Sequence, residues 1–346
     1  MLFSQKILNW FHLNGRKNLP WQKKNTYLIW LSEIMLQQTQ VKIVIPYFKK
    51  FIKIFPNVLS VANSNINKIL HIWSGLGYYQ RAHNLHKTAI IIKNQYNGIF
   101  PDNFTEIKKL PGIGQSTAGA ILSFSYNFRY PILDSNIKRI LIRFHGINIQ
   151  DKKKNQIDKI LWKLIDQYLP IHNSSQFNQA MMDIGSLICI PSNPKCLICP
   201  LKKNCKYQSI KTHLIRKKKH KKDTIGLLFS IIQYNNITVL QKNNNILFWK
   251  GLFYFPFTLF NISELKWKKI KKNKKKLEIN PFIHRIYNKK IYIIPQIIQI
   301  KKIFILNILK IKQILLFNIF QKEEIGIPAP MKILLDIFKK KIWEKK

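Results

Sequence analysis

The sequence predicts a mainly α N-terminal domain followed by a smaller α+β domain, and three observations predict it. Over residues 1–206, apolar residues recur at helical spacing between Gly and Pro punctuation. The run "IRKKKHKKD" (Ile215–Asp223), almost all charge, then reads as a linker. Beyond it the texture turns to Ile, Phe, Tyr and Thr, with turn residues between. A chain of 346 residues is long enough for two cores. The expected boundaries are 1–207 for the helical domain, 208–223 for a basic linker and 224–346 for the second domain.

In chain order, Tyr27–Gln38, Thr117–Phe124 and Asn136–Phe144 are the clearest helices, the last with Ile137, Ile140, Leu141 and Phe144 on one face. Leu110-Pro111-Gly112-Ile113-Gly114, followed by Gln115–Ala120, sits between two helical stretches. A Gly-x-Gly turn there exposes backbone N–H groups at a helix N-terminus, which suits a phosphate. By itself it could be a plain turn; within a basic helical pair and with Asp134 following, it reads as a helix-hairpin-helix at about 105–125. In the second domain, Thr224–Gln233, Ile237–Gln241 and Lys290–Ile300 read as strands, with a turn at Asn235-Asn236.

The formal net charge is +44, from 59 Lys+Arg against 15 Asp+Glu. Such a charge favours a polyanion, because phosphate contacts release condensed counterions. Lys, Ile and Asn are abundant everywhere, however, so part of the excess is compositional drift. Residues 1–21 place Lys6, His12, Arg16 and Lys17 among the apolar residues, which leaves no secretory h-region. The most apolar region, Ile291–Phe320, is cut by Lys301, Lys302, Lys310 and Lys312, too often to span a membrane. The expectation is a soluble, cytoplasmic chain.

Scarcity makes the acids informative. Residues 1–145 hold only Glu33, Asp102, Glu106 and Asp134. Asp102 and Glu106 flank a helix start, where a carboxylate complements the macrodipole. Glu33 lies inside "LIWLSEIMLQQ", apolar nearly all round, and a buried carboxylate is costly unless paired or used. Asp134, in "PILDSNIKRIL", is either a helix N-cap or a site carboxylate.

The four cysteines, Cys189, Cys196, Cys199 and Cys205, fall within 17 residues with spacing C-x6-C-x2-C-x5-C. A disulfide framework would scatter them. Four close thiolates can hold a structural zinc or a 4Fe–4S cluster; the long first gap favours the cluster.

Together these residues resemble the MutY branch of the endonuclease III superfamily. "LPWQ" (Leu19–Gln22), "WLSEIMLQQTQV" (Trp30–Val41), "GLGYYQRAHNLH" (Gly75–His86), "LPGIGQSTAGAIL" and "LDSNIKR" look like that family's motifs, as does the cysteine spacing. The resemblance runs from about residue 10 to 206 and, more weakly, to 346. It implies a helix-hairpin-helix glycosylase domain with an iron–sulfur loop at 189–205 and a Nudix-like second domain. It also implies a monomer acting on duplex DNA with A:8-oxoguanine or A:G mispairs. Adenine would be flipped out and its N-glycosidic bond cut.

On that resemblance Glu33 would be the acid that protonates the leaving adenine, and Asp134 would stay ionised to stabilise the cationic sugar. Gln38 and Tyr78 would wedge into the base stack, Gly112 and Gly114 would bind the backbone, and Arg81 and Lys138 would meet phosphates. Cys189, Cys196, Cys199 and Cys205 would hold one 4Fe–4S cluster, presenting Lys195, Lys202 and Lys203 to DNA. Lyase-competent relatives carry a Schiff-base lysine where this chain has Ser116, so the resemblance implies hydrolysis without programmed strand cleavage.

Two departures stand out. Ser135 follows the Asp where the usual motif has Gly, which would strain the chain if a positive φ were needed. In the second domain, "FWKGLFYFPF" (Phe248–Phe257) and "GIPAP" (Gly326–Pro330) look Nudix-like, without a Nudix hydrolase box. Aligned on His284 and Pro295, Ile286-Tyr287-Asn288 stands where the family has an aromatic-Ser-His segment against 8-oxoguanine, so lesion discrimination would be weakened. The rivals are an endonuclease III-like pyrimidine glycosylase/lyase, disfavoured by Ser116, and a DNA-binding protein without turnover, disfavoured by Glu33 and Asp134.

Overall fold

The structure is a computed structural model describing residues 2–149, 152–207, 224–242, 249–263, 266–267, 270, 278–286, 289–300, 314–321 and 324–343. The expected linker 208–223, Phe248 and the pair Tyr287-Asn288 lie outside the described residues. The chain divides into two compact units, Met1–Asn63 with His83–Lys218, and Ser64–Ala82 with Lys219–Lys346. Residues 64–82 therefore pack with the second unit, although their helical spacing predicts a place in the first. A helical period reports that a face is buried, not which core buries it.

The first unit holds α1 (Phe3–Asn14), α2 (Thr26–Leu36), α3 (Val41–Ile54), α4 (Val58–Ala62), most of α6 (Gln80–Gln95), α7 (Phe104–Lys109), α8 (Gln115–Tyr126), α9 (Ser135–His145), α10 (Lys154–Tyr168) and α11 (Ser174–Leu187). Two short 3₁₀ turns, Cys196–Ile198 and Lys202–Asn204, follow. In α2, Tyr27, Ile29, Trp30, Leu31, Ser32, Ile34 and Met35 are all buried, as its nearly continuous apolar sequence predicts. Asn25 caps it by accepting from the Leu28 N–H at 3.1 Å. The helix stops at Leu36, two residues short of the expected end at Gln38, because Gln37 leaves helical geometry at ψ 112 and Gln38 turns to φ +57.

α9 follows the predicted face closely. Ile137, Ile140 and Leu141 are buried, and Phe144 packs on the same core with Leu161, Ile165, Phe177, Met181 and Ile184 of α10 and α11. Each such side chain contributes about 1.5–3 kcal/mol by leaving water. Asp134 caps its N-terminus, and Gly146, at φ +66, closes its C-terminus in the left-handed region.

The second unit is a mixed sheet of β1 (Thr224–Tyr234), β2 (Ile237–Lys242), β3 (Phe253–Tyr254), β4 (Phe257–Asn261), β5 (Phe282–Ile286), β6 (Lys289–Gln299) and β7 (Ile314–Asn318), ordered β3-β2-β1-β6-β5, with β4 on β1 and β7 on β2. β1 and β6 run parallel from Thr224↔Lys290 to Gln233↔Gln299, and the other pairs are antiparallel. Asn235, at φ +48, makes the predicted turn between β1 and β2. The unit also holds α5 (Ile66–Trp73) and α12 (Ala329–Trp343). α5 is tied to the strand-free segment before α12. His71 Nδ1 lies 3.1 Å from the Ile325 carbonyl, and Ser74 Oγ donates to the Ile327 carbonyl at 2.7 Å. Gly326 fits so closely that a Cβ there would lie 2.5 Å from Leu70 Cβ. Among the described residues, no helix is long and apolar enough to cross a membrane.

Candidate active site

Glu33 sits in the last turn of α2. Its side chain is densely surrounded by protein, yet the residue keeps some contact with solvent. Burial, and then the nearby charge of Asp134, push its carboxyl up to about 8. The structure therefore brings together the two carboxylates that the sequence singles out, one from α2 and one from the start of α9.

Asp134 is both a helix cap and Glu33's neighbour. One oxygen accepts from the Ile137 N–H at 2.7 Å and the other from Asn136 Nδ2 at 2.8 Å. Burial pushes this carboxyl up as well, but hydrogen bonds from Ile137 and Asn136 and the charge of Arg139 pull it back. Glu33 receives only raising influences. Both carboxyls stand above their ordinary range, Glu33 at about 8, and only Asp134 has partners that oppose the rise.

The hairpin supplies the next layer. Gly112 adopts φ +80, and Gly114 N-caps α8 with open space where a Cβ would stand. Both are exposed, so the N–H groups at the start of α8 are accessible to an anion. Gln37 Nε2 donates to the Gly112 carbonyl at 3.2 Å, tying the end of α2 to the hairpin. Ser116 Oγ accepts from the Leu133 N–H at 3.1 Å, next to Asp134 in the chain. Ser116 thus braces the strand-like approach to the carboxylate and brings no amine. Lys138, one turn after Asp134, places its ammonium 2.5 Å from Asp158 Oδ1 of α10.

Gln38 and Tyr78 fall in different units. Gln38 is exposed at φ +57. Tyr78, at φ +48, follows Gly75 and Gly77, both with positive φ. Non-glycine residues in this region cost on the order of 1 kcal/mol or more, so both side chains are held in unusual directions. Arg81 departs from its expected role as a phosphate partner. It is 7 % exposed, packs its guanidinium 5.3 Å from the Tyr78 ring and 5.5 Å from the Trp73 ring, and donates to the Gly77 carbonyl at 3.1 Å. Its charge supports the Tyr78 turn.

All four cysteines line one cavity with Ile140, Phe144, Ile184 and Tyr207. Among the described residues, no three His, Cys, Asp or Glu side chains converge tightly enough for a single metal ion. Four thiols around one cavity are the donor chemistry that an iron–sulfur cluster takes. Burial pushes the Cys199 thiol up to about 11, so a bound cationic centre would be needed to keep it as thiolate. Arg143 holds the loop through the Ile190 and Pro191 carbonyls, both at 2.8 Å, and stacks 4.5 Å over Tyr207. Lys195, Lys202 and Lys203 are exposed.

Sequence reasoning missed Asn136, Arg139 and Gly185. Arg139 donates to Asn136 Oδ1 at 2.8 Å, to the Gly185 carbonyl at 2.6 Å and to the Cys189 carbonyl at 2.6 Å. Cys189 and Asp134, far apart in sequence, are therefore joined through two side chains. The available clue was the i, i+2, i+5 spacing after Asp134, which a helix start brings together. Ser135 is the first residue of α9 and has no positive φ, so the position does not require Gly.

Residues 31–167 match the model of the HhH-GPD superfamily base excision DNA repair proteins. The chain is similar to an adenine DNA glycosylase of Buchnera aphidicola subsp. Baizongia pistaciae (strain Bp), 49 % identical over 98 % of this chain and 97 % of that one. Its fold resembles a thermostable thymine-DNA glycosylase, with TM-score 0.55 and 28 % identity over 60 % of this chain and 95 % of that one. It also resembles endonuclease III in a non-covalent DNA complex, with TM-score 0.53 and 20 % identity over 61 % and 99 %.

Proposed function

Because the chain belongs to the adenine DNA glycosylases of the HhH-GPD superfamily, we propose that it removes adenine paired with 8-oxoguanine or guanine by hydrolysis alone. It is a DNA-repair hydrolase of N-glycosyl bonds. The observation that carries this reading is the Glu33–Asp134 pair, one carboxyl pushed to about 8 and the other restrained by hydrogen bonds.

In this mechanism Glu33 gives its proton to the adenine ring as the bond from C1′ to the base breaks. Asp134, held by Ile137 and Asn136, stabilises the cationic sugar. Water supplies the hydroxyl that ends on C1′, and its remaining proton restores Glu33. Gln38 and Tyr78 would enter the space around the flipped base, and the N–H groups after Gly112 and Gly114 would bind backbone phosphate. Cys189, Cys196, Cys199 and Cys205 would hold one 4Fe–4S cluster, which when bound cross-links the loop that carries Lys195, Lys202 and Lys203. The second unit would act as a Nudix-like reader of the lesion strand. The chain would work as a cytoplasmic monomer.

Single-turnover release of adenine from A:8-oxoguanine and A:G duplexes tests the reading. Release from both is expected, and none from either in cluster-loaded protein would overturn it. Ser116→Lys should gain borohydride-trapped adducts that wild type forms weakly; strong trapping by wild type would contradict the hydrolytic reading.

A further inference from the structure

Lys138 is an amine close in the chain to the carboxylate assigned to the sugar. Its backbone N–H donates to the Asp134 carbonyl at 2.9 Å, so its stem starts one helical turn after the carboxylate assigned to the sugar. The ammonium does not extend freely from there. It meets Asp158 Oδ1 at 2.5 Å, across from α9 to α10, with the two side chains 30 % and 29 % exposed. Ser116, where a nucleophilic amine would stand, is engaged with the Leu133 N–H.

We propose that Asp158 is a positioning residue that holds Lys138 away from the abasic sugar and so helps keep the reaction hydrolytic. This rests on the hydrolytic reading above. Once the base has left, the sugar opens to an aldehyde at C1′. A lysine that has lost a proton to solvent can add its nitrogen there, and loss of water gives an iminium. The ion pair opposes this, since it fixes the nitrogen on Asp158, across on α10. A pair of this exposure shifts such a population by about two- to five-fold, enough to bias a side reaction without forbidding it.

The test uses a duplex holding a pre-formed abasic site, at protein concentrations that saturate it, with borohydride to reduce the iminium to a stable secondary amine. Asp158→Asn is expected to raise the trapped fraction about three-fold over wild type. Asp158→Glu should return it to the wild-type level, and the double variant with Lys138→Ala should lose the gain. Asp158→Ser serves if the Asn variant folds poorly. Equal trapping in wild type and Asp158→Asn, or a gain that survives loss of Lys138, overturns the proposal. Failure of the hydrolytic reading is separately visible on the same gel, as a shortened strand produced by wild type without borohydride.

Discussion

Gly185 of α11 faces Asn136 so closely that a Cβ on the glycine would lie 2.5 Å from the asparagine Cβ. Helix propensity alone favours Ala at this position by about 1 kcal/mol. The clash is with a short, doubly bonded side chain at the start of α9, and overpacking of this kind costs about 1–3 kcal/mol. Gly185→Ala should therefore destabilise the protein in chemical denaturation, and should slow adenine release by displacing Asn136 from Asp134. A more stable variant with full activity would show that the close approach is dispensable.

The rise of Glu33 to about 8 has a kinetic and a thermodynamic reading. As a proton donor it should support single-turnover release below that pH, with the rate falling as pH climbs through it, and Glu33→Gln should abolish release while DNA binding persists. The folded-state value lies above the ordinary carboxyl value, so the group's contribution to stability is present at low pH and lost as pH rises through about 8. Wild type should thus lose stability relative to Glu33→Gln between about pH 5 and 8, by an amount of order a few kcal/mol. Parallel stability curves for the two proteins would refute the shift.

Arg139 carries three short bonds into different segments, to Asn136, Gly185 and Cys189. Arg139→Ala leaves two carbonyls and an amide oxygen without that donor, at a cost of about 2–4 kcal/mol. It also removes a positive charge that holds the Asp134 carboxyl down. The acid limb of the pH–rate profile should move to higher pH. An unchanged limb would separate Arg139 from Asp134's electrostatics.

Stripping the proposed cluster with a chelator, or replacing Cys199 by Ser, should expose the apolar cavity between α9, α11 and the cysteine loop. A loss of about 3 kcal/mol would lower Tm by about 6–12 °C in a unit of this size. Visible absorbance should vanish together with the stability. Retention of both in Cys199→Ser would remove that residue from the ligand set.

Local pattern carried far into this structure. The apolar face of α9, the buried ring of α2, the Asn235 turn and the strands at 224 and 290 are each set by side chains near in sequence, so periodicity and turn chemistry reveal them. Glu33 and Asp134 were legible because acids are rare in the first 145 residues. What escaped was set by tertiary context. Arg81 reads as an exposed cation until the rings of Trp73 and Tyr78 enclose it. Ser135 reads as a strained substitute for Gly until the backbone proves ordinary. The link from Asn136 through Arg139 to Cys189 depends on where α11 ends, which no local pattern contains.

The membership of residues 64–82 in the second unit bears on how the chain is made. α5 and the Tyr78 turn leave the ribosome early, but the segment that receives His71, Ser74 and Leu70 lies near Ile325–Ile327. The contacts span 253 and 254 residues of chain, a wait on the order of 10–50 s at ordinary translation rates. During that interval Leu70, His71 and Ser74 lack these partners, which makes their helix a natural site for a chaperone. For the same reason a fragment ending at 207 would lack these partners, and should be clipped between Asn63 and His83 more readily than the intact chain.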